Sequence, residues 1–259
     1  MFVKTVKVKT AAVVAAASVL LVFGVGAGSV AAVRTATAKK ELPIYSVERG
    51  DKKISVSFDA AWGNEQTGKL IDILDEYGVK TTFFVVGSWV DKYPDSVKAL
   101  ADAGHEVMNH SDTHPHLTRL GAAEIEAEVN ACADKIEAVT GKRPDLLRPP
   151  YGDYNDAVIK TLRGLGIYTI QWDVDSLDWK GVSAEKITER VLRGVKDGSI
   201  VLFHNAGENT AQALPGILAE LQSRGYEIVP VSELILRENY VIDHTGRQKP
   251  ENVNNSAEK

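Results

Sequence analysis

The chain has 259 residues, 44% of them hydrophobic and 25% charged, which is globular composition and excludes a disordered or collagen-like polymer. Six of the 30 Lys and Arg and none of the 35 acids fall within residues 1–40, so the remainder sets 24 bases against 35 acids. That acidic body is a poor match for a phosphate backbone, and no nucleic-acid partner is expected. A single cysteine, Cys132, excludes an intrachain disulfide and a cysteine-rich zinc site.

Residues 11–33 carry no charge, follow Lys4, Lys7 and Lys9, and precede Arg34. Such a run is long enough for one membrane span, which needs about 20 residues. The flanking lysines predict a single-pass anchor in the cell membrane, in contact with the lipid bilayer, with the body on the extracytoplasmic side. The alternative is a signal peptide cleaved near Ala36-Thr37-Ala38, leaving a secreted body. Residues 1–40 are thus read as stub and anchor, and 41–52 as a linker.

From residue 53 to 236 strand and helix patterns alternate. A short β-branched, apolar run predicts a strand at Ile54–Phe58, and further strands alternate with helices at Thr81–Val86, His105–Asn109, Leu146–Arg148, Ile167–Trp172, Ser199–Phe203 and Glu227–Val231. Helical spacing, stopped by glycines or turns, predicts helices at Thr67–Tyr77, Pro94–Ala103, Ala122–Val139, Asn155–Leu165, Ala184–Val195 and Thr210–Arg224. This order implies an α/β fold with a parallel sheet, and about seven strands fit an incomplete (β/α) barrel better than a full eightfold one. Residues 237–259 are polar and are expected to be a frayed tail.

Polar clusters follow five of these strands, at Asp59, His110–His114, Arg148–Tyr151, Asp175–Trp179 and His204. In a parallel fold the carboxyl ends of strands meet at one face, where active sites are built. His110 and His114 are four apart, a spacing that on a helical turn lets two imidazoles share one divalent cation. His116, two residues on, reads as a bystander or a supporting group. Arg148-Pro149-Pro150-Tyr151-Gly152 is a stiff turn whose arginine can hold a carboxylate ionised and whose backbone N–H can face an oxyanion. Asp175 and Asp178 bring two acids beside Trp179, and His204 ends an apolar strand where, next to an acid, it can donate a proton.

Together these residues resemble the polysaccharide deacetylase family, the NodB-homology carbohydrate esterases. The motifs His-Ser-x-x-His, Arg-Pro-Pro-Tyr-Gly, Asp-x-x-Asp-Trp and Leu-x-His are intact and in order. The first motif, Thr-Phe-Asp-Asp-Gly, is represented by Ser57-Phe58-Asp59-Ala60-Ala61, and the stretch through Trp62-Gly63 resembles a sporulation-associated subgroup. The resemblance implies a distorted, incomplete barrel that removes N-acetyl groups from an N-acetylhexosamine polymer of the cell envelope, peptidoglycan foremost. It implies Asp59 as general base, His204 as general acid, Arg148 positioning Asp59, and Asp175 orienting His204. It further implies a divalent metal, usually zinc, on His110 and His114, Tyr151 supplying a backbone N–H to the oxyanion, and Leu202 and Trp179 shaping the acetyl pocket. Ala60 stands where the family has a metal-binding carboxylate, so a weak metal site is expected. The alternative it opens is an impaired, glycan-binding pseudo-deacetylase. Asn64, Glu65 and Asp112 are candidate substitutes for the missing oxygen.

Overall fold

The computed structural model describes residues 40–251, so the run 11–33 and the anchor expected there lie outside the described residues. Among the described residues no helix is long and apolar enough to cross a membrane.

The elements in chain order begin with strand β1 (Ser46–Val47), β2 (Lys53–Ala60), helix α1 (Thr67–Glu76), β3 (Thr82–Val85), α2 (Gly87–Lys92), α3 (Pro94–Asp102) and β4 (Glu106–Asn109). They continue through α4 (Ala122–Thr140), β5 (Leu146–Leu147), α5 (Asp156–Gly164), β6 (Tyr168–Thr169), β7 (Val174–Asp175) and α6 (Ala184–Gly194). The last are β8 (Ile200–His204), α7 (Thr210–Ser223), β9 (Glu227–Ile228), α8 (Val231–Leu234), β10 (Tyr240–Ile242) and β11 (Arg247–Pro250). Seven strands pair side by side in the order β6-β5-β4-β3-β2-β8-β7, all parallel, and β9 pairs the start of β2. Among the described residues β6 and β7 do not pair with each other, so the sheet curves into a half-barrel and stays open there.

The period-two alternation of a strand assigns each residue to a face. On β2, Ile54, Val56, Phe58 and Ala60 join Phe83 and Val85 of β3, Val201 and Phe203 of β8, and the buried stripes of α1, α3, α6 and α7 in the largest apolar cluster. Phe58 stacks on Phe83 and Phe203 at centroid distances of 4.8 and 5.6 Å. The other face of β2 carries Ser55, Ser57 and Asp59, and the matching face of β8 carries Leu202 and His204. A second apolar cluster of Ile44, Val47, Phe84, Leu146, Ile170, Ile200 and residues of α8 fills the inside of the curved sheet below these polar groups.

The segment read as linker and the described part of the tail, to residue 251, are structured. β1 pairs parallel with β11, and β10 antiparallel with β11, in a three-stranded sheet. Gln248 on β11 is fully buried, its amide bonded to both backbone groups of Leu236. Burial of Ile44 and Val47 and this side-chain pairing supply what a polar sequence without periodicity conceals. The sequence also predicts one strand over Ile167–Trp172, of which Tyr168–Thr169 forms β6 and Ile170 adds a single parallel bridge to Ile44, while β7 and α2 go unpredicted because two and six residues carry too little periodicity.

Candidate active site

β2 and β8 set Asp59 and His204 directly opposite each other, as register partners at the ends of adjacent strands. Arg148 follows β5 and is fully buried. Its Nη1 donates to Asp59 Oδ1 at 2.7 Å and its Nη2 to Ser57 Oγ at 2.8 Å. The guanidinium also lies 4.2 Å from the Phe84 ring centroid, which shields it. Burial by itself would raise the Asp59 carboxyl, but the charges of Arg148, His110 and His204 outweigh it and hold the group below its ordinary value.

His204 is pushed the other way. Burial disfavours its charged form, yet Asp178 overcomes this and raises it. Asp178 Oδ1 accepts from His204 Nδ1 at 2.8 Å, and its Oδ2 accepts from the His204 N–H at 2.8 Å and from Thr210 Oγ1 at 2.6 Å. The sequence reading gave this orienting role to Asp175, and the structure corrects it. Asp175 ends β7 and its Oδ1 accepts from the Leu177 N–H at 2.9 Å, so it caps its own turn. Leu177, at φ +56, turns the chain so that Asp178 faces inward.

His110–His114 is not a helical turn. Asn109 Oδ1 accepts from Ser111 N–H, Ser111 Oγ accepts from His114 N–H, and Ser111 and His114 take left-handed φ of +67 and +61. Glu128 of α4 clasps the loop, accepting from the N–H groups of Asp112 and Thr113 and from the Thr113 hydroxyl. The two rings nevertheless meet, with centroids 5.0 Å apart. Among the described residues six other than glycine have positive φ, and four of them, Ser111, His114, Tyr151 and Leu177, lie in these strand-end loops. Such backbone costs about 1–3 kcal/mol per residue and concentrates at functional sites.

The donor chemistry here suits a divalent cation. His110 Nδ1 donates to the Arg148 carbonyl at 2.6 Å, which leaves Nε2 bare and facing Asp59 Oδ2 at 3.6 Å. His114 Nδ1 is buried without a hydrogen-bond partner. Burial lowers both histidines, His114 to about 4, with the charge of His110 adding to its shift, so both rings are neutral and able to ligate at neutral pH. Yet among the described residues no group of three or more His, Cys, Asp or Glu stands ready to hold a metal ion. Ala60 brings no oxygen and sits fully buried in the apolar cluster. None of the three candidate substitutes is poised to replace it. Asp112 Oδ1 binds Lys135 Nζ at 2.6 Å, Glu65 Oε2 accepts from the Asn64 N–H, and Asn64 Nδ2 donates to Ser96.

The remaining expected residues take distinct places. Leu202 is buried opposite Ser57 on the inner face. Tyr151 is 60% exposed at φ +61 inside the turn Pro150–Gly152. Trp179 is 58% exposed with Lys180 Nζ 4.8 Å above its ring. His116 stacks on Tyr151 at 4.2 Å with its Nδ1 3.0 Å from Asp153 Oδ2. A cavity of about 230 Å³ lies elsewhere, bounded by Pro43, Ile44, Arg163, Tyr168 and Tyr240, and none of the site residues lines it.

Comparison with known proteins points to one family. A family model described as polysaccharide deacetylase matches residues 46–170. The peptidoglycan-N-acetylmuramic acid deacetylase PdaC of Bacillus subtilis is 37% identical over 189 residues, 73% of this chain but 40% of PdaC. This chain therefore spans well under half the length of that relative. PdaA of the same organism, also a peptidoglycan-N-acetylmuramic acid deacetylase, is 33% identical over 71% of this chain and 72% of its own length. Among solved structures, a carbohydrate esterase family 4 pseudoenzyme from Bacillus anthracis superposes with a TM-score of 0.73 at 34% identity, over 75% of this chain and 69% of that one. A mutant of that pseudoenzyme is described as having restored enzymatic activity. The chain belongs to the polysaccharide deacetylase family, carbohydrate esterase family 4.

Proposed function

We propose that this protein hydrolyses N-acetyl groups from a cell-wall polysaccharide, peptidoglycan foremost, releasing acetate and a free amine. The observation that carries this reading is the pairing of Asp59 with His204. They are neighbours at adjacent strand ends, with the carboxyl pushed down by Arg148 and the imidazole pushed up by Asp178. Two titratable groups driven apart in this way form a base and an acid at one pH.

Asp59 Oδ1 is committed to Arg148, which leaves Oδ2 to take the proton of an attacking water. His204 keeps Nδ1 on Asp178, so its Nε2 gives the proton that the departing amine nitrogen needs. A divalent cation on His110 and His114, zinc in the first instance, supplies Lewis acidity at the amide carbonyl when bound. Tyr151, held in the left-handed region, is the candidate for an oxyanion-facing N–H, and Leu202 for one wall of the acetyl pocket. The same reading places the body outside the cytoplasm on an anchor at 11–33, where its polymer is.

Acetate and amine release from peptidoglycan and from N-acetylglucosamine oligomers tests the reading. Asp59→Asn and His204→Ala are each expected to lower turnover by about 10² or more. Near-wild-type rates in both would overturn the assignment. Ala60 favours one competing reading, a glycan-binding protein without the activity, and the B. anthracis neighbour is itself a pseudoenzyme. Glycan binding without acetate release, in protein loaded with zinc, would establish that one instead.

A further inference from the structure

Trp62 is 69% exposed, more than any other large apolar side chain among the described residues, and it belongs to none of the three apolar clusters. It contributes little to the core, yet its backbone is pinned. The carbonyl of the next residue, Gly63, accepts from Trp89 Nε1 at 2.6 Å and from Asn205 Nδ2 at 2.9 Å. Gly63 takes φ +53, and a Cβ there would collide with the Glu65 carboxylate. A rigid turn thus holds a large ring in solvent, an arrangement that burial would otherwise remove.

The ring is placed at the reaction centre. Trp62 meets His114 edge-on at 5.7 Å and 67°, and Tyr151 meets the same imidazole at 4.5 Å and 66°. Tyr151 is fixed in turn by His116, which stacks on it, and His116 by Asp153, whose Oδ2 also accepts from Thr118 Oγ1 at 2.5 Å. Two exposed aromatic rings therefore border His114, each on a constrained loop. Trp179 differs, because its own neighbour Lys180 lies over its ring.

We infer that Trp62, with Tyr151, forms a stacking platform for a hexosamine ring of the glycan adjoining the reacting one. A pyranose in chair form presents axial C–H groups on a flat apolar face, while its equatorial hydroxyls and acetamido group point outward to water and polar partners. A rigid, solvent-exposed aromatic recognises that face at small cost in conformational freedom, since it has few torsions to lose. The identity of the sugar rests on the deacetylase reading above; the platform itself rests on exposure and anchoring.

Calorimetric titration with the N-acetylglucosamine tetramer tests the inference. Trp62→Ala should weaken binding about tenfold, as truncation of an aromatic anchor does, and Trp62→Phe should recover most of it. The variant should melt with the wild type, because an exposed ring supports no core. Trp62→Ala binding the tetramer within twofold of wild type would overturn the platform and leave the deacetylase reading standing. Wild-type protein that binds the tetramer with Trp62-dependent affinity but releases no acetate would defeat the deacetylase reading alone. Failure of the wild type to bind either this tetramer or peptidoglycan fragments would overturn both.

Discussion

Asp178 shows how far one residue's conformation reaches. Asp175 and Asp178 are both present in the sequence, both near Trp179, and spacing alone does not say which turns inward. The left-handed Leu177 decides it, by directing Asp178 under His204, where Thr210 and the His204 N–H complete its hydrogen bonds. A raised histidine is protonated below its folded value and loses its proton as pH rises through that value, so Asp178 extends the donor's working range upward. Asp178→Asn should therefore shift the alkaline limb of the kcat/KM profile to lower pH and reduce the rate by about 10². Asp175→Asn should move the limb far less. Equal shifts in the two profiles would return the orienting role to Asp175. His110 and His114 carry a related correction, because burial lowers both below the free histidine value near 6.5. Proton competition for a bound cation consequently sets in at lower pH than the sequence alone suggests.

At the scale of elements, the strands that carry the site were legible because their patterns are long or fully apolar. β2, β3 and β8 emerge from apolar runs rich in β-branched and aromatic residues, and Asp59 and His204 from the ends of β2 and β8. The loop His110–His114 was legible in composition but not in shape, since Glu128 lies on α4 and reaches the loop only through the fold. That carboxylate accepts three hydrogen bonds and holds a loop with two left-handed residues in place. A group that orients a ligand side chain without touching the metal typically affects affinity by about 10–100-fold. Glu128→Ala is expected to weaken zinc binding at pH 7 by about tenfold, read by titrating zinc into metal-free protein. His110→Ala with His114→Ala should abolish it. Zinc affinity unchanged in Glu128→Ala would show that the loop keeps its geometry without the clasp, and affinity unchanged in the double variant would remove the two-histidine site.

For the whole molecule, the ends of the described chain were the least legible part. Residues 41–52 and 238–251 lack periodicity, and their order comes from β1 pairing with β11 across some 200 residues of sequence and from the local antiparallel pair β10–β11. Histidines distributed through the fold give the molecule a shared acid sensitivity. His105 is buried between β3 and β4, with its Nδ1 accepting from the Thr81 N–H and its Nε2 buried without a partner. Burial lowers it to about 4, and Lys80 adds to the shift. The unfolded chain binds this proton near 6.5 and the folded one only near 4, so stability is full above 6.5 and declines as pH falls between those values. The lost contribution from His105 reaches at most about 3 kcal/mol. It lies apart from the loop His110–His114, so its effect is separable from protonation of those two histidines. Urea unfolding at steps from pH 4.5 to 7 should show stability rising with pH, and His105→Gln, which keeps a side-chain acceptor but cannot titrate, should flatten that rise. An identical slope in the variant would place the acid sensitivity elsewhere, in His110 and His114, which burial also holds neutral.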